Sequence, residues 1–222
     1  MIPALAPSPE AIPGLERLTA GEVLCEAVDR FPEMKVACSF QKEASVIMHM
    51  LLGIDRNARF FTLDTGVLFG ETYATWRALE QRFGIQIETA QGMSLARQAE
   101  LYGDELWKSD PDACCAIRKV KPLREVLAPL DAWVSGVRRT DHPGRAEAAK
   151  LAWDPKHGLF KVNPLADWSE GQVWDYLARY DIPYHQLHDH GYASIGCAHC
   201  TQPGAGRRGR WADSDKVECG LH

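Results

Sequence analysis

The chain has 222 residues, 45% of them hydrophobic and 25% charged, with a net charge of −5. That length and composition suit one soluble globular domain with a sizeable core, and the acidic balance excludes a general nucleic-acid binder, whose surface would be basic. No apolar stretch approaches the roughly 18–20 residues a membrane span needs, and the opening MIPALAPSPEAIPGLERLTA lacks a basic start and a sustained apolar run, so a cytoplasmic protein with no membrane partner is expected.

Residues 1–20, rich in proline, read as a loose arm, and residues 21–205 as the folded body. MKVACSF (34–40) is short, apolar and strand-like, and ASVIMHMLLG (44–53) follows as a buried helix closing at Gly53. RFFTLDT (59–65) is a second strand, followed by a helix over 70–83 that Gly84 stops. IQIETA (85–90) alternates like a third strand, and SLARQAELYG (94–103) is helical. IRKVKPLREVLAPL (117–130) is helical with Pro122 in an early turn. AWVSGVR (132–138) and LFKVNPL (159–165) are the fourth and fifth strands. DWSEGQVWDYLARYD opens with a capping box, Ser169 as cap and Gln172 as its partner, with Val173, Trp174 and Leu177 on one face. Beyond about residue 182 the periodicity fades, and residues 206–222 read as a flexible C-terminal segment. Alternating strands and helices imply an α/β fold, a mainly parallel twisted sheet with helices on both faces. Ligands of such sheets bind beyond the carboxyl ends of the strands, here the loops 39–45, 64–71 and 136–145.

Those loops carry chemistry-bearing residues. SFQKEAS (39–45) sets Ser39, Lys42 and Ser45 at a helix N-terminus, a ready anion site, without the glycine-rich run of a Walker loop. In TLDTGVLFGETY (62–73), Asp64 either binds ribose hydroxyls or caps a plain turn. In SGVRRTDHPGRA (135–146), Arg138 and Arg139, with Arg145 beyond, suggest a bidentate anion clamp, the alternative being solvated surface arginine. Basic clusters at 118–124, 138–145 and 207–210 on an acidic chain suit an anionic small molecule.

Seven cysteines, an odd number in a reducing compartment, argue against a disulfide framework. Cys114-Cys115 and Cys197-Ala-His-Cys200 read as four thiolate ligands to one metal centre. Zinc and an iron–sulfur cluster both accept four sulfurs. Adjacent cysteines point apart, which is awkward around one ion, whereas a cubane presents several irons, so a [4Fe-4S] cluster is preferred. Arg118 and Lys119 lie beside it and would stabilise its negative charge. Cys25 and Cys38 sit in apolar contexts and read as core residues. Cys219, in KVECGLH, reads as a mobile thiol on a tail or as a chance surface cysteine.

SFQKEASV, LDTG, CCAIRKVKPL, GVRR, NPLADWSEGQVWDYL, IPYHQLHDHGYASIGCAHCT, RGRW and ECGLH, in that order over residues 34–222, resemble the assimilatory adenylyl-sulfate reductases, the iron–sulfur branch of the adenylyl-sulfate/phosphoadenylyl-sulfate reductase family. The resemblance implies an adenine nucleotide alpha-hydrolase-like fold. It makes Cys114, Cys115, Cys197 and Cys200 the [4Fe-4S] ligands and Cys219 the nucleophile. Lys119, Arg207 and Arg210 match residues around the phosphosulfate, and Ser39, Leu63, Gly66 and Arg138 lie in segments that contact the nucleotide. Lys42, Asp64, Arg139 and the terminal His222 complete the substrate-binding set. The implied reaction converts adenosine 5′-phosphosulfate to sulfite and AMP through a cysteine S-sulfonate, with thioredoxin or a similar dithiol as donor, in sulfate assimilation toward cysteine. The family also implies a homo-oligomer.

The sequence departs from the family in places. The loop glycines of ATP-cleaving relatives are absent, TQPGAGRR before GRW is short and makes Arg208 a rival of Arg207, and His185 stands where asparagine is frequent. The alternatives are a phosphoadenylyl-sulfate or dual-substrate reductase, an iron–sulfur ATP-cleaving tRNA-thiolation relative, and a zinc-stabilised adenylate-binding module.

Overall fold

In the computed structural model, which describes residues 14–212 and 214–221, six strands form one sheet in the order β3-β2-β1-β4-β6-β5. The strands are β1 (Met34–Ala37), β2 (Arg59–Asp64), β3 (Glu88–Gln91), β4 (Ala132–Val134), β5 (Leu151–Asp154) and β6 (Leu159–Val162). All neighbours pair in parallel except β5, which runs antiparallel to β6 at the edge. The helices are α1 (Ala20–Arg30), α2 (Lys42–Ile54), α3 (Gly70–Phe83), α4 (Leu95–Tyr102), α5 (Leu106–Ser109), α6 (Pro111–Cys115), α7 (Lys121–Leu127) and α8 (Glu170–Tyr180). A π-helical turn, Ala116–Val120, joins α6 to α7 without a break. Among the described residues no helix is long and apolar enough to cross a membrane.

The two-residue period of the strands divides the interior into two cores. Val36, Phe60, Ala132 and Val134 face one core, which Val23 and Leu24 of α1, Ile47 and Leu51 of α2, Leu79 of α3 and Val173 and Leu177 of α8 fill. Phe61 and Trp133 face the other, against Leu123 and Leu127 of α7. Each such side chain, fully buried, contributes about 1.5–3 kcal/mol. The α/β layers with helices on both faces are therefore those the alternating pattern implies.

Local signals explain most boundaries. Gly84 ends α3 at φ 67°, a left-handed conformation that glycine adopts without strain. Ser169 Oγ accepts from Gln172 N, and the Gln172 side chain accepts from Ser169 N. α1, β5 and the short helices α5 and α6 are absent from the sequence expectations. α1 has its own reciprocal capping box between Thr19 and Glu22, and β5 is the edge strand of a hairpin turning at Asp154–Gly158. Residues 1–13 of the expected arm lie outside the described residues, but Leu15 and Ala20 are buried, so 14–20 belongs to the body. Cys38 is buried, whereas Cys25 is exposed on α1 and is no core residue, because Val23, Leu24 and Ala27 take that helix's buried face.

His185 is fully buried, with Nε2 2.8 Å from Thr72 Oγ1 and Nδ1 accepting from Leu187 N. The backbone N–H can only donate, so the ring is neutral with its proton on Nε2. Burial, aided by His188, pushes its pKa down to about 4. His188 is likewise held at about 4, by burial and by Lys42. The unfolded chain takes up these protons near pH 6.5, so stability is full above that value and falls as pH drops toward 4, by up to about 1.4 kcal/mol per pH unit for each ring. Urea unfolding at pH 4.5, 5.5, 6.5 and 7.5 is expected to show this decline, with a shallower slope for His185→Gln.

Candidate functional site

β1 continues leftward in the sheet to β2, while β4 lies on its other side. The carboxyl ends of β1 and β4 therefore flank the switch point at which an open α/β sheet leaves a crevice. A cleft of about 410 Å³ lies there, lined by the loops after β1, β2 and β4 and by the C-terminal segment. Gly136 lets the loop after β4 pack against α2, since a Cβ there would lie 2.9 Å from Glu43 Cβ. Gln41 ties the C-terminal segment in, its side-chain carbonyl accepting from Ile195 N at 2.9 Å.

Six cations line this cleft: Lys42, Lys119, Arg138, Arg145, Arg207 and Arg210. Four of them sit in a continuous chain of ion pairs. Lys42 lies 3.4 Å from Glu170 and 3.5 Å from Glu43. Arg138 pairs with Glu43 at 3.0 Å and Asp141 at 2.8 Å. Arg145 approaches Asp141 at 3.6 Å, and both it and Arg207 pair with Glu218 at 2.9 Å. Burial raises the Asp141 pKa despite the opposing pull of Arg138. Among the described residues, Lys119 and Arg210 have no carboxylate partner within ion-pair distance. Arg210 donates to Ile195 O and Ser194 Oγ and lies 4.5 Å over the Trp211 ring.

Lys119 also lines a second, smaller cavity with Cys114, Cys115, Cys197, Cys200, Arg118, Trp107 and His199. α6 and its π-helical turn supply the first two cysteines and both cations, and the turn at Ala198–Cys200 follows Cys197. Cys197 Sγ lies 3.4 Å from Thr65 Oγ1. Burial pushes Cys115 and Cys200 up to about 11 and raises Cys114. It acts likewise on Cys197, but Lys119, Thr65 and Arg210 outweigh it and hold that thiol below its ordinary value. Burial works against the Lys119 ammonium, and the Cys197 and Cys219 sulfurs overcome it and hold its pKa up. Among the described residues no three His, Cys, Asp or Glu side chains gather closely enough to hold a single metal ion. The donor set nevertheless suits a larger anionic sulfur cluster. Four unbridged cysteines ring one space, and two of its other lining side chains keep buried N–H groups without partners, Arg118 NH2 and Trp107 Nε1.

The C-terminal segment docks between the two cavities. Cys219 is 8% exposed, lines the large cleft and packs against Cys115 and Trp211. Glu218, one residue earlier, makes the two arginine pairs. Lys156 donates to Gly220 O, and His157 Nε2 lies 3.2 Å from Leu221 O, so the β5–β6 hairpin clasps the far side.

Ser39, Lys42, Leu63, Lys119, Arg138, Arg207, Arg210 and Cys219 all line the cleft. Arg207 does so, while its rival Arg208 is exposed and does not. Three of the expected substrate-binding residues stand outside the cleft lining. Asp64 is not on the cleft wall; its carboxylate accepts from Gly66 N and Tyr73 Oη and so caps the turn. Gly66 is in that turn, beside Arg118. Arg139 points away, donating to Ala148 O and pairing with Glu16. His222 lies outside the described residues. Arg145, expected beside the arginine clamp, joins Glu43, Asp141, Glu170 and Glu218 in the charge chain; sequence reasoning missed these four carboxylates, which no spacing pattern marks.

A family model for the phosphoadenosine phosphosulfate reductase domain matches residues 33–203. The chain is 46% identical to an adenosine 5′-phosphosulfate reductase of Salinibacter ruber over 82% of this chain and 75% of that one. It is 42% identical to a phosphoadenosine 5′-phosphosulfate reductase of Gloeobacter violaceus, over 93% of this chain and 90% of that one. Among solved structures, phosphoadenylyl-sulfate reductase from Candida auris, a phosphate complex, superposes with TM-score 0.77 at 27% identity, covering 85% of this chain and 93% of that one.

Glu218→Gln removes the Arg145 and Arg207 ion pairs and leaves the tail's Lys216–Asp112 pair in place. Alkylation of Cys219, followed by mass spectrometry of the C-terminal peptide, is expected to accelerate several-fold in this variant, while alkylation of the buried Cys38 stays unchanged.

Proposed function

Because the chain belongs to the phosphoadenosine phosphosulfate reductase domain family, we propose that it reduces adenosine 5′-phosphosulfate to sulfite and AMP with a dithiol donor, through an S-sulfonate on Cys219. It is an enzyme, an oxidoreductase acting on a sulfur-containing substrate. The observation that carries the finer reading is the position of Cys219. This cysteine lines a nucleotide-sized cleft at a sheet switch point, where Lys119 and Arg210 have no carboxylate partner among the described residues.

The Cys219 thiolate attacks the sulfur of the phosphosulfate, forming an S–S bond as the bond from that sulfur to the phosphate oxygen breaks. The electron pair leaves with AMP, whose phosphate Lys119, Arg207 and Arg210 stabilise. A thiolate of the donor then attacks Cys219 Sγ and releases sulfite as leaving group, giving a mixed disulfide. The donor's second thiol resolves it, restoring the Cys219 thiol and leaving the donor oxidised by two electrons. The donor, which thioredoxin would suit, reaches Cys219 only when Glu218 releases Arg145 and Arg207, since the docked sulfur is covered.

Cys114, Cys115, Cys197 and Cys200 would hold a [4Fe-4S] cluster, with Arg118, Lys119 and Trp107 as the neighbouring donors. Bound there, it would cross-link α6 to the 197–200 turn and set a buried charge beside Lys119. The relatives' names divide between the two sulfonucleotides, so the phosphoadenylyl substrate is the second reading. ATP cleavage is disfavoured, because SFQKEAS lacks a glycine-rich phosphate loop.

Cys219→Ser is expected to abolish turnover and the mass increase of the sulfonated enzyme while keeping the visible absorption of anaerobically purified protein. Retained turnover would overturn the mechanism. Iron and acid-labile sulfide assays are expected to give about four of each per chain, falling steeply in Cys197→Ser; a colourless protein carrying zinc would overturn the cluster.

A further inference from the structure

The charge chain around the cleft has a consequence for which nucleotide fits, and the inference deepens the adenylyl-sulfate reading and rests on it. Six cations face the cleft, and Lys42, Arg138, Arg145 and Arg207 are already matched by Glu170, Glu43, Asp141 and Glu218. Two, Lys119 and Arg210, are left without a carboxylate among the described residues. A phosphosulfate carries two negative charges and takes both. Docking it beside Cys219 therefore neutralises the remaining positive charge of the wall.

We propose that Glu43, Asp141 and Glu170 are specificity-determining residues that reject a second phosphate on the nucleotide. A 3′-phosphate adds about two charges more at neutral pH and, with the tail docked, meets no further unmatched cation of the cleft lining among the described residues. To recruit Arg138 it must strip that side chain from both Glu43 and Asp141, and to recruit Lys42 it must strip it from Glu43 and Glu170. Either exchange takes one of its two cations from the buried Glu43, and leaves Asp141 on the longer Arg145 contact or Glu170 without its Lys42 partner, and weakening the compensation of a buried charge is costlier than weakening that of one in water. Selectivity of this kind arises from repulsion built against the rejected ligand rather than from contacts to the accepted one. Glu218 differs, because it leaves with the tail and so sets no permanent charge.

The probes are AMP and adenosine 3′,5′-bisphosphate, the nucleotide products of the two candidate substrates, titrated calorimetrically into the cluster-loaded full chain. The wild type is expected to bind AMP at least tenfold more tightly. Glu170→Gln, on the exposed first turn of α8, is expected to shrink that ratio at least fivefold by releasing Lys42. Asp141→Asn is expected to shrink it from the Arg138 side, with kcat/KM for the two sulfonucleotides moving in parallel. Equal affinity in the wild type, or a ratio unchanged in both variants, would overturn the proposal. Binding of neither nucleotide would overturn the adenylyl reading itself and this inference with it.

Discussion

Burying a cation without an anion is costly, and the arrangement of this site follows from that constraint. The cleft wall gathers six cations at the carboxyl edge of the sheet. Among the described residues a chain of carboxylates matches four, and the two left over line the same space as Cys219. The wall is thus complete only when an anion is present at Lys119 and Arg210. The tail answers to the same rule. Glu218 docks because Arg145 and Arg207 need a carboxylate, and in docking it seats Cys219 at the remaining positive charge.

Lys119 couples the two cavities. It lies on the π-helical turn just after Cys114 and Cys115 and lines both the cysteine cavity and the cleft. The turn of Cys197 and Cys200 closes the same small cavity, and Trp211, stacked under Arg210, packs against Cys115 and Cys219. Residues from the middle and the end of the chain therefore share one electrostatic environment. A change in charge at the cysteines acts on Lys119, and through it on whatever anion sits beside Cys219.

The fold was largely legible because its strands are two-faced or wholly apolar and its helices carry stop signals. Gly84 and the Ser169–Gln172 box mark boundaries through local backbone chemistry alone. α1 escaped although Thr19 and Glu22 spell the same capping signal, since the prolines before it placed its cap at the end of a loose arm. β5 escaped because an edge strand in a hairpin has only one neighbour and little alternation. In the site, cysteine spacing and the basic motifs marked the residues that meet, but sign and direction were hidden. Asp64 and Arg139 lie in the right loops and face the wrong way. Cys25 has apolar neighbours yet takes the outer face of its helix.

By itself the sequence determined the α/β layering, the loops that reach the sheet edge, and the two cysteine pairs and terminal thiol, because these rest on residue type and short-range spacing. Only the tertiary structure decided which charges cancel. Lys42 and Glu170, Glu43 and Arg138, and Arg145 and Glu218 are far apart in the chain, and their pairing depends on where the sheet edge, α8 and the tail converge. Attraction between charges depends on distance and burial in space, and one-dimensional order specifies neither.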